Sequence, residues 1–263
     1  MSPLLSRRLA DGVLRLTLDD PATRNSLSEA MMGALQTALD DARDDTAVRV
    51  IVLAAEGPAF SSGHNLKEIT AHRADGDKGA AYFAKLFAAC ARLMLAIVKH
   101  PKPVIAEVRG LASAAGCQLV ASCDLAIAAE TAAFCTPGVN IGLFCSTPMV
   151  ALSRNVAHKH ALEMLLTGDI ISATEAARIG LINRAVPREA LSASVTELAA
   201  KVAGKSRAVV KIGKEAFYRQ SEMDVEAAYA YTARVMTENL LKRDAEEGIA
   251  AFIGKRKPQW EDR

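Results

Sequence analysis

Two short stretches combine small residues with a preceding apolar run, and that combination can present backbone N–H groups to a ligand. The first is GPAFSSGHNLKEI, residues 57–69, which follows the run VRVIVLA at 48–54. Gly63 tolerates a positive φ and so can turn the N–H of His64 outward. The second is RGLASAAGCQLVASCDLAIAA, residues 109–129, which follows PVIAEV at 103–108. Residues 112–116 are all small, and they lead into a helical pattern. Small residues at a helix start let a ligand reach free N–H groups, and the helix dipole favours negative charge there. Alone, each stretch reads better as an ordinary strand-to-helix turn or as tight helix–sheet packing. Together they supply two convergent donors, the arrangement that stabilises an oxyanion.

The elements that must hold these loops are legible. The runs at 48–54 and 103–108 are almost unbroken in apolar residues, as in strands buried on both faces. VLRLTL at 13–18 alternates with period two, DLAIAA at 124–129 is a further strand, and INRAV at 182–186 a late one. Ligands of open α/β sheets sit at the carboxyl ends of such strands. A helix lies between the first two strands, with Met31, Leu35, Ala38, Leu39 and Ala42 on one face and a capping box from Ser26 and Glu29. Ser172 and Glu175 form a second capping box. After Pro187 the pattern is almost wholly helical to Gly254. The first two thirds is therefore α/β and the last third α-helical, with no linker between them.

Bulk properties exclude several classes. The 263 residues carry a formal net charge of +2, too little for a nucleic-acid footprint. Five cysteines, with no C-x-x-C or zinc-like spacing, read as reduced buried thiols and provide no metal site. The apolar stretch at 80–100 carries Lys85 and Arg92 and reads as an amphipathic core helix, not a membrane span. The first twelve residues lack the apolar run of a signal peptide. These features lead to the expectation of a soluble cytoplasmic protein.

AFSSGHNLKEI resembles the first oxyanion loop of the crotonase (enoyl-CoA hydratase/isomerase) superfamily, and PVIAEVRGLASAAGCQLVASCDLAIA resembles its second. FCTPGVNIGLFCSTP resembles the third active-site segment, and TGDIISATEAARIGLINRAVP and EGIAAFIGKRKPQW resemble later family stretches, all in order. The resemblance implies an α/β fold: a crotonase-like spiral of β-β-α units over 1–200, then a helical trimerisation region over 201–263. It implies a homotrimer or homohexamer, to which the late aromatics Phe217, Tyr218, Tyr229, Tyr231, Phe252 and Trp260 suit an interface. It implies an acyl-coenzyme A thioester as substrate, no prosthetic group, and no nucleic-acid or membrane partner.

Carried over by position, the two oxyanion donors fall on the N–H groups of His64 and Ala115, with alanine where hydratases have glycine. The two glutamates of the hydratases fall on Gln118 and Gly138, so both carboxylates are absent. Cys145 falls where decarboxylase-like relatives carry a catalytic tyrosine; a small buried thiol is the alternative. The His64 side chain has an intrinsic pKa suited to acid–base work, or else it is structural. Asn140 can hydrogen-bond a substrate or its own loop. Arg24, His64, Asn65, Leu66, Lys67, Lys255 and Lys257 are the implied coenzyme A contacts, the last two from a neighbouring subunit. The expected function is an acyl-CoA protein that stabilises a thioester oxyanion or enolate without standard hydration. Decarboxylation of a malonyl-type ester, and non-catalytic binding of CoA esters, are the alternatives.

Overall fold

The computed structural model describes residues 4–263. Leu5–Ala10 (β1) and Val13–Leu18 (β2) pair antiparallel across Asp11 and Gly12, both at positive φ, as a two-residue hairpin turn requires. β1 was not expected, because after Leu5 all its residues are exposed and no alternation marks it. Glu29–Asp44 (α1) follows. Its cap is Ser28, whose side chain accepts from Met31 N–H at 3.1 Å, and not Ser26. The reason is tertiary: Leu27 N–H donates to Gly63 O at 2.8 Å, which keeps the chain extended until Ser28.

From here the chain repeats one path. A long strand joins a main sheet, a three-residue strand joins a second sheet, and helix returns the chain. Val50–Ala55 (β3) and Ala59–Ser61 (β4) lead to Leu66–Ala71 (α2) and Ala80–Val98 (α3). Val104–Val108 (β5) and Leu111–Ser113 (β6) lead to Ala115–Ser122 (α4). Leu125–Ala129 (β7) and Ala133–Cys135 (β8) lead to Ser146–Asn155 (α5) and His158–Thr167 (α6). Ile171–Ser172 (β9), Ala173–Arg178 (α7), Arg184–Val186 (β10) and Leu191–Ala203 (α8) complete the spiral. Arg207–Gln220 (α9), Val225–Leu240 (α10) and Arg243–Ile253 (α11) form the helical region. Residue 201, the expected start of that region, falls inside α8. The main sheet runs β1-β2-β3-β5-β7-β10 and the second runs β4-β6-β8-β9. This is the expected spiral of β-β-α units.

Alternation in the long strands explains the layering. Ile51, Leu53, Val104, Ala106 and Val108 face the larger core, beneath α1, α3 and α4. Val50, Val52, Ile105 and Ile127 face the other way, against Leu191, Val195 and Ala199 of α8. α3 is long and apolar enough to cross a membrane by length and composition. In the fold its stripe of Tyr82, Leu86, Cys90, Leu93 and Ile97 joins the larger core.

Polar groups tie the helical region to the sheet. Asp124 accepts from Val104 N–H at 2.7 Å, from Lys214 Nζ at 2.7 Å and from Tyr218 OH at 2.9 Å. Lys214 also donates to the carbonyls of Ile97 and Lys102. The C-terminal tail is held by Asp262, which accepts from Arg49 at 2.9 and 3.1 Å and from Arg207 N–H at 2.7 Å. Because the pair Asp124–Lys214 is largely buried, Lys214→Met should destabilise the protein by about 3–5 kcal/mol, measured by urea unfolding.

His100 is fully buried, with Nε2–H donating to Leu39 O at 3.0 Å and Nδ1 accepting from Lys102 N–H at 3.2 Å. Burial pushes its pKa down to about 4. An unfolded histidine takes up its proton near pH 6.5, so between those values the unfolded chain binds more protons than the folded one. Stability contributed by neutral His100 is therefore intact above about pH 6.5 and lost as pH falls towards 4, at up to about 1.4 kcal/mol per pH unit. Urea unfolding across this range should show that slope, and His100→Gln should flatten it.

Candidate functional site

The second sheet sets the site. β4 pairs parallel with β6 (Ala59 with Leu111, Ser61 with Ala112), and β6 pairs parallel with β8 (Ala112 with Phe134, Ser113 with Cys135). Parallel pairing brings all three carboxyl ends to one edge, so residues 62–64, 114–115 and 136–138 leave the sheet side by side. Gly63 makes the first two touch. Its φ is +92°, and a Cβ there would stand 3.0 Å from Ala114 Cβ and Ser113 O and 3.4 Å from Ala115 N. Gly116 lies still more tightly over Ser61, whose carbonyl oxygen would be 2.3 Å from a Cβ there.

Two N–H groups meet at this contact. His64 forms a parallel bridge with Leu27, and in a parallel bridge the central residue's own N–H points away from its partner. Ala115 is the first residue of α4, where an N–H has no intrahelical acceptor. Among the described residues neither N–H has an acceptor. Two unpaired donors on touching loops are an arrangement that can hold an oxygen carrying negative charge.

The unusual backbone is at Ala114 and not at Ala115. Ala114 has φ +49° and ψ −116°, a conformation costing roughly 1–3 kcal/mol in a residue with a Cβ. It is held there from both sides: its N–H donates to Cys135 O at 2.9 Å and its carbonyl accepts from Gln118 N–H at 3.0 Å.

The His64 ring is fixed by Leu27 O, 3.3 Å from Nδ1. A carbonyl only accepts, so Nδ1 carries the proton and Nε2 is left as an acceptor. Nε2 is buried and has no partner. The edge-on ring of Phe87 lies 5.5 Å away, centroid to centroid. Burial holds the His64 pKa below its ordinary value, opposed by the bond to Leu27.

The two positions that lack carboxylates differ. Gln118 is buried on α4, and its Oε1 accepts from Cys90 Sγ at 3.7 Å. Gly138 has no room for any side chain: a Cβ would meet Leu143 O at 2.5 Å and Cys145 Sγ at 2.9 Å. Cys145 is buried and caps α5, and burial pushes its thiol pKa up. Burial does the same to Cys117 and Cys135 nearby. These sulfurs are protonated thiols and not nucleophilic thiolates. Asn140 is exposed, with its amide near Gly168.

Arg24 is exposed beside the first loop, and its carbonyl accepts from Ser62 N–H at 3.0 Å. Asn65 caps α2 through Lys67 N–H at 3.0 Å and Glu68 N–H at 3.4 Å, so its side chain has a local structural role. Leu66 and Lys67 are exposed on the first turn of α2. Lys255 and Lys257 are exposed after α11, on the tail pinned to Arg49 at the amino end of β3. The fold does not bring them to this chain's own loops. His158 and His160 lie on α6. No group of three potential metal ligands occurs among the described residues. A cleft of about 850 Å³ is lined by Arg43, Lys102, Arg207, Lys211, Glu238 and Asp262, at the amino ends of the strands and away from these loops.

Sequence reasoning missed Asn25, Ala114 and Phe87. Asn25 is fully buried at φ +54°, accepting from Asp20 N–H and donating to the carbonyls of Glu56 and Ala59, all at 2.8 Å. It thereby fastens the Arg24 loop to β4. Asparagine's tolerance of positive φ was the available signal. Nothing in the sequence marks Phe87, which is one apolar residue of a long apolar helix.

The enoyl-CoA hydratase/isomerase family model matches residues 8–263. Rat enoyl-CoA hydratase domain-containing protein 3, mitochondrial, is 49% identical over 257 residues, covering 98% of this chain and 84% of its own. The crystal structure of the human protein of that name superposes with a TM-score of 0.93 at 49% identity, covering 98% of this chain and all of its own. A Mycobacterium smegmatis enoyl-CoA hydratase structure gives the same TM-score and identity, covering 98% and 99%. The names of the animal relatives carry the word mitochondrial, which overturns the cytoplasmic assignment. That assignment rested on reduced thiols, on the lack of a visible signal peptide and on an apolar helix read as core, none of which tells one reducing compartment from another. Matched along nearly its whole length by family model and relatives alike, the chain belongs to the enoyl-CoA hydratase/isomerase family.

Proposed function

We propose that the chain binds an acyl-CoA thioester with its carbonyl oxygen between the N–H groups of His64 and Ala115, and stabilises the oxyanion or enolate without the two hydratase carboxylates. The observation that carries this reading is the pair of unpaired donors on touching loops. The reaction it favours is decarboxylation of a malonyl-type ester. Loss of CO₂ leaves its electron pair on the thioester as an enolate, and no base is needed to form it. Such chemistry needs the donors, which are present, and not a glutamate at 118 or 138. One oxyanion donor is worth roughly 3–4 kcal/mol in enzymes where it has been removed.

In the same reading Arg24 and Lys67 border the coenzyme's path. Lys255 and Lys257 serve the site of a neighbouring copy, since their own lies at the other end of the sheet. α9–α11 provide the contact between copies. Phe217, Tyr229 and Phe252 are 62%, 75% and 86% exposed there, and aromatic surface suits such a contact.

Crotonyl-CoA hydration should be slower than in a two-glutamate hydratase by roughly 10²–10⁴-fold for each missing carboxylate. Malonyl-CoA and methylmalonyl-CoA should yield acetyl-CoA and propionyl-CoA above the uncatalysed rate, followed by mass spectrometry. Binding of both esters without turnover would instead establish a non-catalytic CoA-ester protein. Gly138→Glu should not restore hydration, because the Cβ itself has no space. Gly138→Ala should already lower stability by roughly 1–3 kcal/mol in thermal unfolding, the usual cost of overpacking.

A further inference from the structure

His64 carries a second functional group besides its N–H, and the proposed reading does not use it. Nδ1–H is committed to Leu27 O. The 1,3 placement of the ring nitrogens sends the Nε2 lone pair away from Leu27. The parallel bridge sends the His64 N–H away from Leu27 as well. A buried acceptor without a donor costs roughly 1–3 kcal/mol, and Nε2 is buried and unpartnered. A cost kept at a functional loop points to a ligand group that meets it.

The other proton carriers at these loops are disqualified by their surroundings. Gln118 cannot take up a proton, and Gly138 has no side chain. Cys117, Cys135 and Cys145 are thiols whose burial raises their pKa. Glu68, one turn along α2, is engaged at the amino end of α1, where its Oε2 accepts from Glu29 N–H at 3.2 Å. His64 alone among these groups combines a neutral base with an unpartnered lone pair, on the residue that also carries one of the donors.

We infer that His64 Nε2 is the base that removes and returns the α-proton of the bound acyl thioester, while the N–H groups of His64 and Ala115 hold the enolate oxygen. This rests on the thioester reading above and extends it. In the forward step the Cα–H bond breaks and its electron pair becomes the Cα=C bond of the enolate. The carbonyl π pair moves to the oxygen facing the two N–H donors. The proton forms a new N–H bond at Nε2. The resulting imidazolium keeps its Nδ1–H···O bond to Leu27, which supports the added charge. In the return step Nε2 gives a proton to Cα and the carbonyl re-forms, so no oxidant or second substrate is required. Where decarboxylation makes the enolate, Nε2 first takes a proton from water, leaving hydroxide, and then gives it to Cα. Phe87, whose ring stands edge-to-face with the imidazole, is 40% exposed, and its movement would open a path for Cα to Nε2.

The test is deuterium exchange into the α-position of acetyl-CoA and butyryl-CoA in D₂O, read by mass spectrometry, with the whole protein. Substituting His64 leaves a backbone N–H at position 64, so binding and proton transfer separate. The wild type should exchange α-protons. His64→Gln should bind both esters with similar Kd and exchange roughly 10²–10⁴-fold more slowly, the usual contribution of a general base. Equal exchange by the variant overturns the inference, and so does a wild type that binds the esters without exchange; in both cases the thioester site stands. A wild type that binds neither ester overturns the thioester reading as well. ¹⁵N spectra of the wild-type histidines provide a check independent of variant folding. His64 should be the Nδ1–H tautomer at neutral pH, and an Nε2–H tautomer overturns the inference.

Discussion

Parallel pairing of three strands, each only three residues long, is the constraint on which the site depends. β4, β6 and β8 are too short to hold a sheet by themselves. Each is reached a few residues after a long strand, β3, β5 or β7, that is buried almost throughout. The long strands are covered on both faces, by α1, α3 and α4 on one side and α8 on the other. Hydrophobic burial in the main sheet therefore sets the register of the second sheet. Glycine does the rest, because any Cβ at 63 or 116 would push the facing loop away. Two N–H groups that are distant in sequence end within one contact, and no side chain is needed to place them.

The surroundings of that contact are poor in negative charge. An amide bound to a thiol stands at 118, a bare backbone at 138, and protonated sulfurs lie behind. An oxygen held between the two N–H groups would face donors, with no carboxylate at 118 or 138. Backbone strain supports the same geometry: Ala114 is locked between β8 and the first turn of α4 in a conformation an alanine does not adopt freely. Donors fixed in this way need not reorganise when charge appears, which is how preorganised electrostatics lowers a barrier.

Stability is concentrated elsewhere. The ion pair of Asp124 with Lys214, the neutral His100 and the Asp262 clamp all lie among the amino ends of the strands and the helices beyond them. These groups join the last third of the chain to the sheet without reaching the loops at the carboxyl ends. Helices α9–α11 leave large apolar side chains in solvent, whereas the strand core is fully covered. The clamp and the loops are thus separate parts of one chain, both resting on the strand core.

Residue pattern alone determined much of this. The nearly continuous apolar runs at 48–54 and 103–108 read as strands covered on both faces, and the small residues at 63 and 112–116 marked the places where backbone comes close. The absence of carboxylates at 118 and 138 is likewise a fact of sequence. Tertiary structure decided what depends on residues far apart in the chain. The α1 cap moved to Ser28 because Gly63 holds Leu27. The burden of strain fell on Ala114 because Cys135 holds its N–H. Position 138 lost all space for a side chain because Leu143 and Cys145 fold back over it. The His64 tautomer was illegible for the same reason: a ring nitrogen's proton is set by what it faces, and Leu27 and Phe87 face it only once the chain has folded.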